Sequence, residues 1–423
     1  MKKLLGLAAV FVLSVGWMTT SALGVEPIVI GVPTSLTSIE GRESLKSVQM
    51  AVEEINAKGG VKVGNTKRPL KVETIDLRDF SPGVPVTDAL LGIEKIITEK
   101  KPAALVVGPF RSEAMLAGMD IVSKYKVPLL ETIAMSPKSG EMVRQEPEKY
   151  KYIFRVSFNA KYMVQYVAST LGFLKDQFGF TKVFSMYQDV LWARASAEHT
   201  VKAAAAKFGW QQLGADVYPT GSSDFAAGLS KARTKGAQVI LVYFDMPQGG
   251  ILVKQAIAMK IPALVAGSMA PMCGTETWKT FDGKIGGLIN VVYELGSSIA
   301  TDKYPPSKKF YDAYKKKYGV TIQACHGPAP SYDSVYILAE AIERAKSLDP
   351  DKLVTEIKKT DRSGVIGRIK FDDGNQVIYG DDPTKTAVGC VFQWADKGKR
   401  VIVFPKPIAE GPIKLPPWLK AAK

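Results

Sequence analysis

Cysteine and histidine are scarce here: three of the first (Cys273, Cys325, Cys390) and two of the second (His199, His326) in 423 residues. No CxxC occurs and the histidines lie far apart, which removes the common zinc patterns. An odd cysteine count leaves at least one thiol free even where export permits disulfides, and which two would pair stays open. The motifs GxSxG, GxGxxG and GxxxxGK[ST] are missing too, and no histidine stands near a plausible nucleophile. The chain is therefore expected not to be an enzyme, and neither a cofactor nor a metal site is implied. Beyond residue 25 there is no unbroken apolar run of about 18 residues, the length a membrane span needs, so the mature chain is expected to be soluble.

At the start, Lys2 and Lys3 precede a short apolar stretch, Leu4 to Met18, and small residues at Ala22-Leu23-Gly24. This is the pattern of a secretory signal peptide over 1–24, cleaved near Gly24 and of bacterial style. Removing the two lysines takes the formal charge from +15 to +13. The lysines are spread, with one run at Lys315-Lys316-Lys317, so the charge reads as a field favouring acidic solutes and not as a nucleic-acid surface. At 46% hydrophobic and 23% charged residues the composition is that of a globular protein. The length calls for two domains of roughly 150–200 residues each.

The most informative stretch is Ala104 to Met119, ALVVGPFRSEAMLAGM. Leu105, Val106 and Val107 read as a strand buried on both faces of a parallel sheet. Gly108-Pro109 ends it, and Ser112 is a candidate cap for the helix that follows. In open α/β sheets ligands bind beyond the carboxyl ends of such strands, and Arg111, Ser112 and Glu113 stand at a helix N-terminus that favours an anion.

Around this stretch the chain alternates. Ile28 to Val32 is a strand, and Leu45, Val48, Val52 and Ile55 form one helical stripe ended by Gly59-Gly60. A strand at Leu70 to Asp76, a helix at Asp88 to Lys100 and a strand at Val127 to Leu130 follow, with a loop from Glu131 to Ser139. After a short strand at Tyr152 to Val156 the rhythm restarts. Strands are expected at Lys182 to Tyr187, Leu213 to Tyr218, Val239 to Phe244, Ala263 to Ala266 and Gly287 to Val292, with helices between. Helices at Ser307 to Tyr318 and Ser331 to Lys346, late strands at Gly367 to Phe371 and Val388 to Trp394, and a Pro-rich tail, Gly411 to Trp418, complete the chain. The alternation predicts an α/β fold of two doubly wound parallel-sheet lobes.

Ile30-Gly31-Val32 followed by Ala51-Val52-Glu53-Glu54-Ile55-Asn56-Ala57-Lys58-Gly59-Gly60-Val61 resembles the start of the branched-chain amino-acid binding proteins, the type I periplasmic binding group. Gly108-Pro109, Val127-Pro128, Ser136-Pro137, Phe154-Arg155-Val156, Tyr332-Asp333-Ser334-Val335, Gly364-Val365-Ile366-Gly367 and Phe371-Asp372-Asp373-Gly374 are similar to the same group, in order, along nearly all of the mature chain. The resemblance implies an exported receptor of an ABC importer, located in the periplasm, that shuts two lobes on a small molecule and hands it to a membrane permease. It implies three crossing segments between the lobes, with residues 25–156 plus about 293–374 in one lobe and 157–292 plus about 375–423 in the other. A monomer is expected, with a ligand sensor for a membrane receptor as the alternative role and an enzyme on the same fold a distant one.

Members of that group that bind α-amino acids hold the ligand with hydroxyl side chains at positions where this chain resembles them with Glu113, Ile133 and Met135. Ile and Met carry no hydroxyl, and an unpaired buried ammonium or carboxylate would cost several kcal/mol. The expected ligand is accordingly a small organic carboxylate, or an aromatic or otherwise modified relative of an amino acid. Arg111 suits its carboxylate in bidentate fashion and Trp192 offers a face for stacking. Asp245, Ser268, Met269, Thr37 and Glu40 are expected at loop ends facing the cleft, the default site of such a fold.

Overall fold

A computed structural model describes residues 25–422. The expected signal peptide and its cleavage near Gly24 lie outside the described residues. Strand β1 (Ile28–Thr34) runs into the helix Ile39–Ala57, a small antiparallel hairpin of β2 (Val61–Val63) and β3 (Thr66–Arg68), and β4 (Leu70–Asp76). Then come the helix Val86–Lys100, β5 (Ala104–Val107), the helix Ser112–Lys124, β6 (Leu129–Glu131) and β7 (Ile153–Arg155). These strands make a parallel sheet in the order β4-β1-β5-β6-β7.

The second lobe repeats the plan. After the helix Ala160–Phe178 come β8 (Lys182–Gln188), β9 (Gln211–Tyr218), β10 (Val239–Phe244), β11 (Leu264–Met269) and β12 (Ile289–Val292), paired in parallel as β9-β8-β10-β11-β12. Each lobe thus winds outward both ways from its first strand, the doubly wound order. The central runs ALVV of β5 and VILVYF of β10 are buried at every position, because helices cover both faces. A hairpin of β13 (Asp361–Gly364) and β14 (Gly367–Lys370) follows, and the second sheet is extended by β15 (Cys390–Trp394), antiparallel to β12, and by β16 (Arg400–Phe404), antiparallel to β15.

The chain returns to the first lobe with the helices Pro305–Tyr318 and Pro328–Ala345; the first reaches the helix Ile39–Ala57 through Tyr318 Oη, which donates to the Lys46 carbonyl at 2.8 Å. Two stretches that look unrelated in sequence meet at Asp333. Its carboxylate accepts from the backbone N–H of Val365 (2.8 Å) and Ile366 (3.2 Å) and pairs with Arg362 at 2.6 Å. A side chain on Gly364 would run into that carboxylate at 2.6 Å, so glycine is needed there.

The crossings between lobes are laced side by side. Glu294 accepts from the N–H of Phe158 and of Gly327, both at 3.1 Å. Gln376 bonds the Ser157 carbonyl and the Asn159 amide, each at 2.9 Å, and Tyr379 donates to the Val156 carbonyl at 3.0 Å.

Several expectations shift. Ser112 is not the cap of its helix: Arg111 holds that position without a side-chain cap bond. The strand expected at 127–130 lies at 129–131, since Pro128 cannot donate to the ladder. The loop from Glu131 ends in a helix, Lys138–Gln145, and the hairpin β2–β3 and strand β16 come from short polar or late segments with little apolar pattern.

Candidate functional site

The loops at the carboxyl ends of β1, β4 and β5 face those of β8 and β10. In the first loop Ser38 caps its helix by accepting from the Gly41 N–H at 2.9 Å. Gly41 is required, because a Cβ there would lie 2.0 Å from the Ser35 carbonyl oxygen. This tight turn buries Glu40 one residue into the helix. Where β5 ends, the backbone passes through the left-handed region at both Val107 (φ 78°), its last residue, and Gly108 (φ 81°). For a β-branched residue that is strained, at about 1–3 kcal/mol, and such strain gathers where a loop must aim side chains. Here it delivers Phe110 and Arg111 to the space between the lobes. The Arg111 N–H is held by Asp79 at 2.8 Å.

Across that space Arg111 Nη1 meets Asp245 Oδ2 of the second lobe at 2.7 Å, and Trp192 Nε1 donates to the same oxygen at 2.8 Å. The guanidinium carbon also lies 5.3 Å from the Phe80 ring centre and 5.2 Å from that of Phe110, within cation–π range. Gln188 fixes the Asp245 loop by accepting from the N–H of Asp245 and of Met246, both at 3.1 Å. The lobes are therefore closed on one another through a buried ion pair whose side chains are 15% and 5% exposed. Phe110 continues to His326 at 6.0 Å, and His326 to Tyr293 at 4.6 Å, an aromatic wall that runs back to the crossing segments.

The loop carrying Ile133 and Met135 is built from within. Arg155 pairs with Glu131 at 2.7 Å, both almost wholly buried, and its guanidinium also donates to the carbonyls of Ala134 and Ser136 and to Ser139 Oγ. Glu131 in turn accepts from the Ile133 N–H at 2.8 Å. Ser112 Oγ accepts from the N–H of Met135 (3.3 Å) and Ser136 (3.1 Å). Ile133 and Met135 are buried, with their N–H groups already satisfied.

The remaining expected residues separate. Ser268 Oγ bonds Tyr293 Oη at 2.6 Å. Met269 packs into the second lobe's core, near Gly249, with its backbone held by Asn290 at 2.9 Å in both directions. Thr37 is exposed and bonded to Ser35 and Ser81, and Glu113 is exposed on the first helical turn. The structure thus brings together Arg111, Asp245 and Trp192, with Glu40 near enough for the Asp245 charge to act on it. Phe80, Phe110, Tyr293 and His326 were not foreseen; the adjacency of Phe110 to Arg111 was the one available signal. Among the described residues Ser44 Oγ, Asp79 Oδ1, Asp245 Oδ1 and His326 Nδ1 are buried without a hydrogen-bond partner.

Cys273, just past β11, is disulfide-bonded to Cys325, and Cys390 is free and buried. Cys325 lies in the segment joining the two first-lobe helices, where the N–H groups of Gln323 (2.9 Å) and Ala324 (2.8 Å) donate to Glu43 of the first lobe. The disulfide therefore joins the lobes beside the segments that cross between them.

Burial raises the Glu40 carboxyl to about 8, with the Asp245 and Glu43 charges adding to it. Burial likewise raises Glu294 to about 8 and lowers the His326 imidazole to about 4. A carboxyl that keeps its proton longer when folded loses stability as pH rises from its unfolded value to its folded one. His326 acts oppositely, adding stability as pH rises from about 4 to its unfolded value of 6.5. The two effects compete below pH 6.5, and above it the carboxyls act alone. The melting temperature should fall between pH 6.5 and 8, and Glu40→Gln with Glu294→Gln should flatten that slope. A slope unchanged in the double variant would show that neither group carries it.

Among the described residues no group of three or more His, Cys, Asp or Glu side chains is placed to hold a metal ion. A family model described as "Periplasmic binding protein" matches residues 27–381. Leu/Ile/Val-binding protein homolog 7 of Brucella suis biovar 1 is 24% identical over 389 residues, covering 89% of this chain and 90% of that one. Homolog 8 of Brucella abortus is 24% identical over 383 residues, 86% of this chain and 87% of that protein. Among solved structures, a putative branched-chain amino acid ABC transporter protein from Silicibacter pomeroyi superposes with a TM-score of 0.77 at 20% identity, over 93% of this chain and all of that one. The LivJ substrate-binding protein of Streptococcus pneumoniae, solved with isoleucine, gives 0.70 at 24% identity over 90% of this chain and 100% of that one.

Proposed function

Since the chain belongs to the periplasmic binding protein family, we propose that it is an exported solute receptor of an ABC importer, closing its lobes on a small carboxylate or amino-acid-like ligand. One observation carries the reading: Arg111, Asp245 and Trp192 meet across the lobes at the carboxyl ends of both sheets. In this reading the ligand carboxylate takes Arg111, with the hydroxyl of Ser112 as a further donor. The unpartnered acceptor on Asp245, with Glu40 beside it, serves an N–H or O–H donor of the ligand. Phe80, Phe110 and Trp192 wall its apolar part, and Ile133 and Met135 shape it without hydroxyls. Thr37 and Glu113 stand exposed on the first-lobe loops, and Ser268 and Met269, at the end of β11, lie at the margin of the site. The first lobe passes to the second near 156, back near 293 and across again near 374. A single copy acts, the closed form is what a membrane permease recognises, and the ligand leaves chemically unchanged.

The curated relatives are named for leucine, isoleucine and valine, so these amino acids belong in the test. A thermal-shift screen across amino acids, aromatic acids and dicarboxylates should find its largest shift among carboxylates other than plain branched-chain amino acids. A ligand at a hundred times its Kd adds about 2.7 kcal/mol to the folded state. Stabilisation by branched-chain amino acids alone would overturn the reading of Ile133 and Met135. No stabilisation by any carboxylate would overturn the receptor reading itself.

A further inference from the structure

The second lobe carries a cavity of about 1180 Å³ at its far pole. It lies beside Leu264 and Val265, where β11 begins, and Gly286 to Leu288, just ahead of β12, with the end of the antiparallel β15 alongside. The Arg111–Asp245 site is at the opposite ends of these strands, so the two are separated by the sheet. In volume the cavity is a little larger than the roughly 300–1,000 Å³ of most sites for small organic ligands.

Its floor is apolar and only partly covered: Ile257, Val265, Val401 and Leu415 are half-buried. The Pro-rich tail forms one wall. Gln393 pins that tail, accepting from the Lys414 N–H and donating to its carbonyl, both at 2.8 Å, and Pro416 sits against Gly287. Trp418 closes the rim and is 57% exposed, a large apolar surface left to water. Around this floor stand four exposed lysines, Lys260, Lys284, Lys399 and Lys414, against two carboxylates, Asp396 and Glu410. Among the described residues the only ion pair of these six is Lys284 with Asp282, at 3.8 Å. An apolar trough whose rim carries Lys260, Lys399 and Lys414 without an ion-pair partner among the described residues complements a molecule that is apolar at one end and anionic at the other.

We propose that this cavity is a second binding site, taking an amphipathic carboxylate whose chain or ring lies along Ile257, Val265 and Leu415 under Trp418 while its carboxylate faces the lysines. The site is independent of the ligand held between the lobes.

Gly286 supplies a clean probe. It lines the cavity, and a Cβ added there meets nothing within 4 Å, so a larger side chain enters open space. Calorimetric titration of the full mature chain with octanoate should show binding that Gly286→Phe weakens by at least about tenfold. Lys260→Glu with Lys399→Glu should weaken it too, octanamide should bind less well than octanoate, and in Arg111→Ala, whatever octanoate the cleft loses, the binding sensitive to Gly286→Phe should persist. Absent octanoate binding, or binding untouched by Gly286→Phe, would overturn the proposal. Loss of all octanoate binding on Arg111→Ala would place octanoate in the cleft alone and equally overturn it. So would a dimer in light scattering that Gly286→Phe dissolves, since the occupant would then be a second copy.

Discussion

Arg111→Ala should weaken a carboxylate ligand by about 2–5 kcal/mol, roughly thirty- to several-thousand-fold in Kd, with the far-UV spectrum unchanged. The side chain sits between two lobes and supports no strand or helix, so its loss should not unfold either. Its partner makes the test decisive. In the closed chain Arg111 is held by Asp245 at 2.7 Å, so the guanidinium has two conceivable roles: clasping the lobes, or holding the ligand. Asp245→Asn separates them. If Arg111 binds a carboxylate, weakening its internal rival leaves affinity for a simple monocarboxylate intact or improved while Arg111→Ala abolishes it. If Arg111 is only a clasp, both variants weaken every ligand alike, because each removes the same cross-lobe pair. Arg111→Lys keeps the charge but loses the planar fork and should fall between wild type and Ala. Equal affinity in wild type and Arg111→Ala would remove Arg111 from the site.

Reduction of Cys273–Cys325 should destabilise the protein by about 4 kcal/mol, the loop-closure entropy for a separation of 52 residues. Urea denaturation with and without a phosphine reductant reads this directly, and Cys325→Ser should reproduce it. The free thiol is controlled by Cys390→Ala, in which the reductant's effect should persist. A second consequence follows from where the bond sits. It links the loop after β11 to a segment that Glu43 ties to the first lobe, so it should limit how far the lobes part. The reduced, ligand-free protein should show a larger radius of gyration by solution scattering. A protein that sheds a share of its closed form loses apparent affinity in proportion. Unchanged dimensions and stability after reduction would show that the bond constrains nothing.

Much of the architecture could be read before any coordinates. The unbroken apolar runs at 104–107 and 239–244 could only be strands covered on both faces, and their alternation with helical stripes implied parallel sheets. The elements that escaped were the short and polar ones: Thr66–Arg68 has no apolar residue, and its pairing with Val61–Val63 depends on a turn between them. The site was legible to a lesser degree. Arg111 stood out because a guanidinium at a helix N-terminus beyond the carboxyl end of a strand suits a carboxylate. What that something is could not be read, since Asp245 lies 134 residues on. Trp192 was read as a stacking face, and the structure presents its N–H edge to Asp245. His326 and Tyr293 were invisible, because a lone histidine beside a glycine carries no periodic signal.

The order of elements, their apolar faces and the two-lobed plan are local properties, written in spacing and turn residues, and the sequence determined them alone. Which side chains share the cleft was decided by tertiary structure. Closing two sheets on each other brings together loops more than a hundred residues apart, and the pairing of Arg111 with Asp245, the burial of Glu40 and the pairing of Cys273 with Cys325 depend on that approach. Local pattern specifies where each loop begins; only packing specifies what it faces.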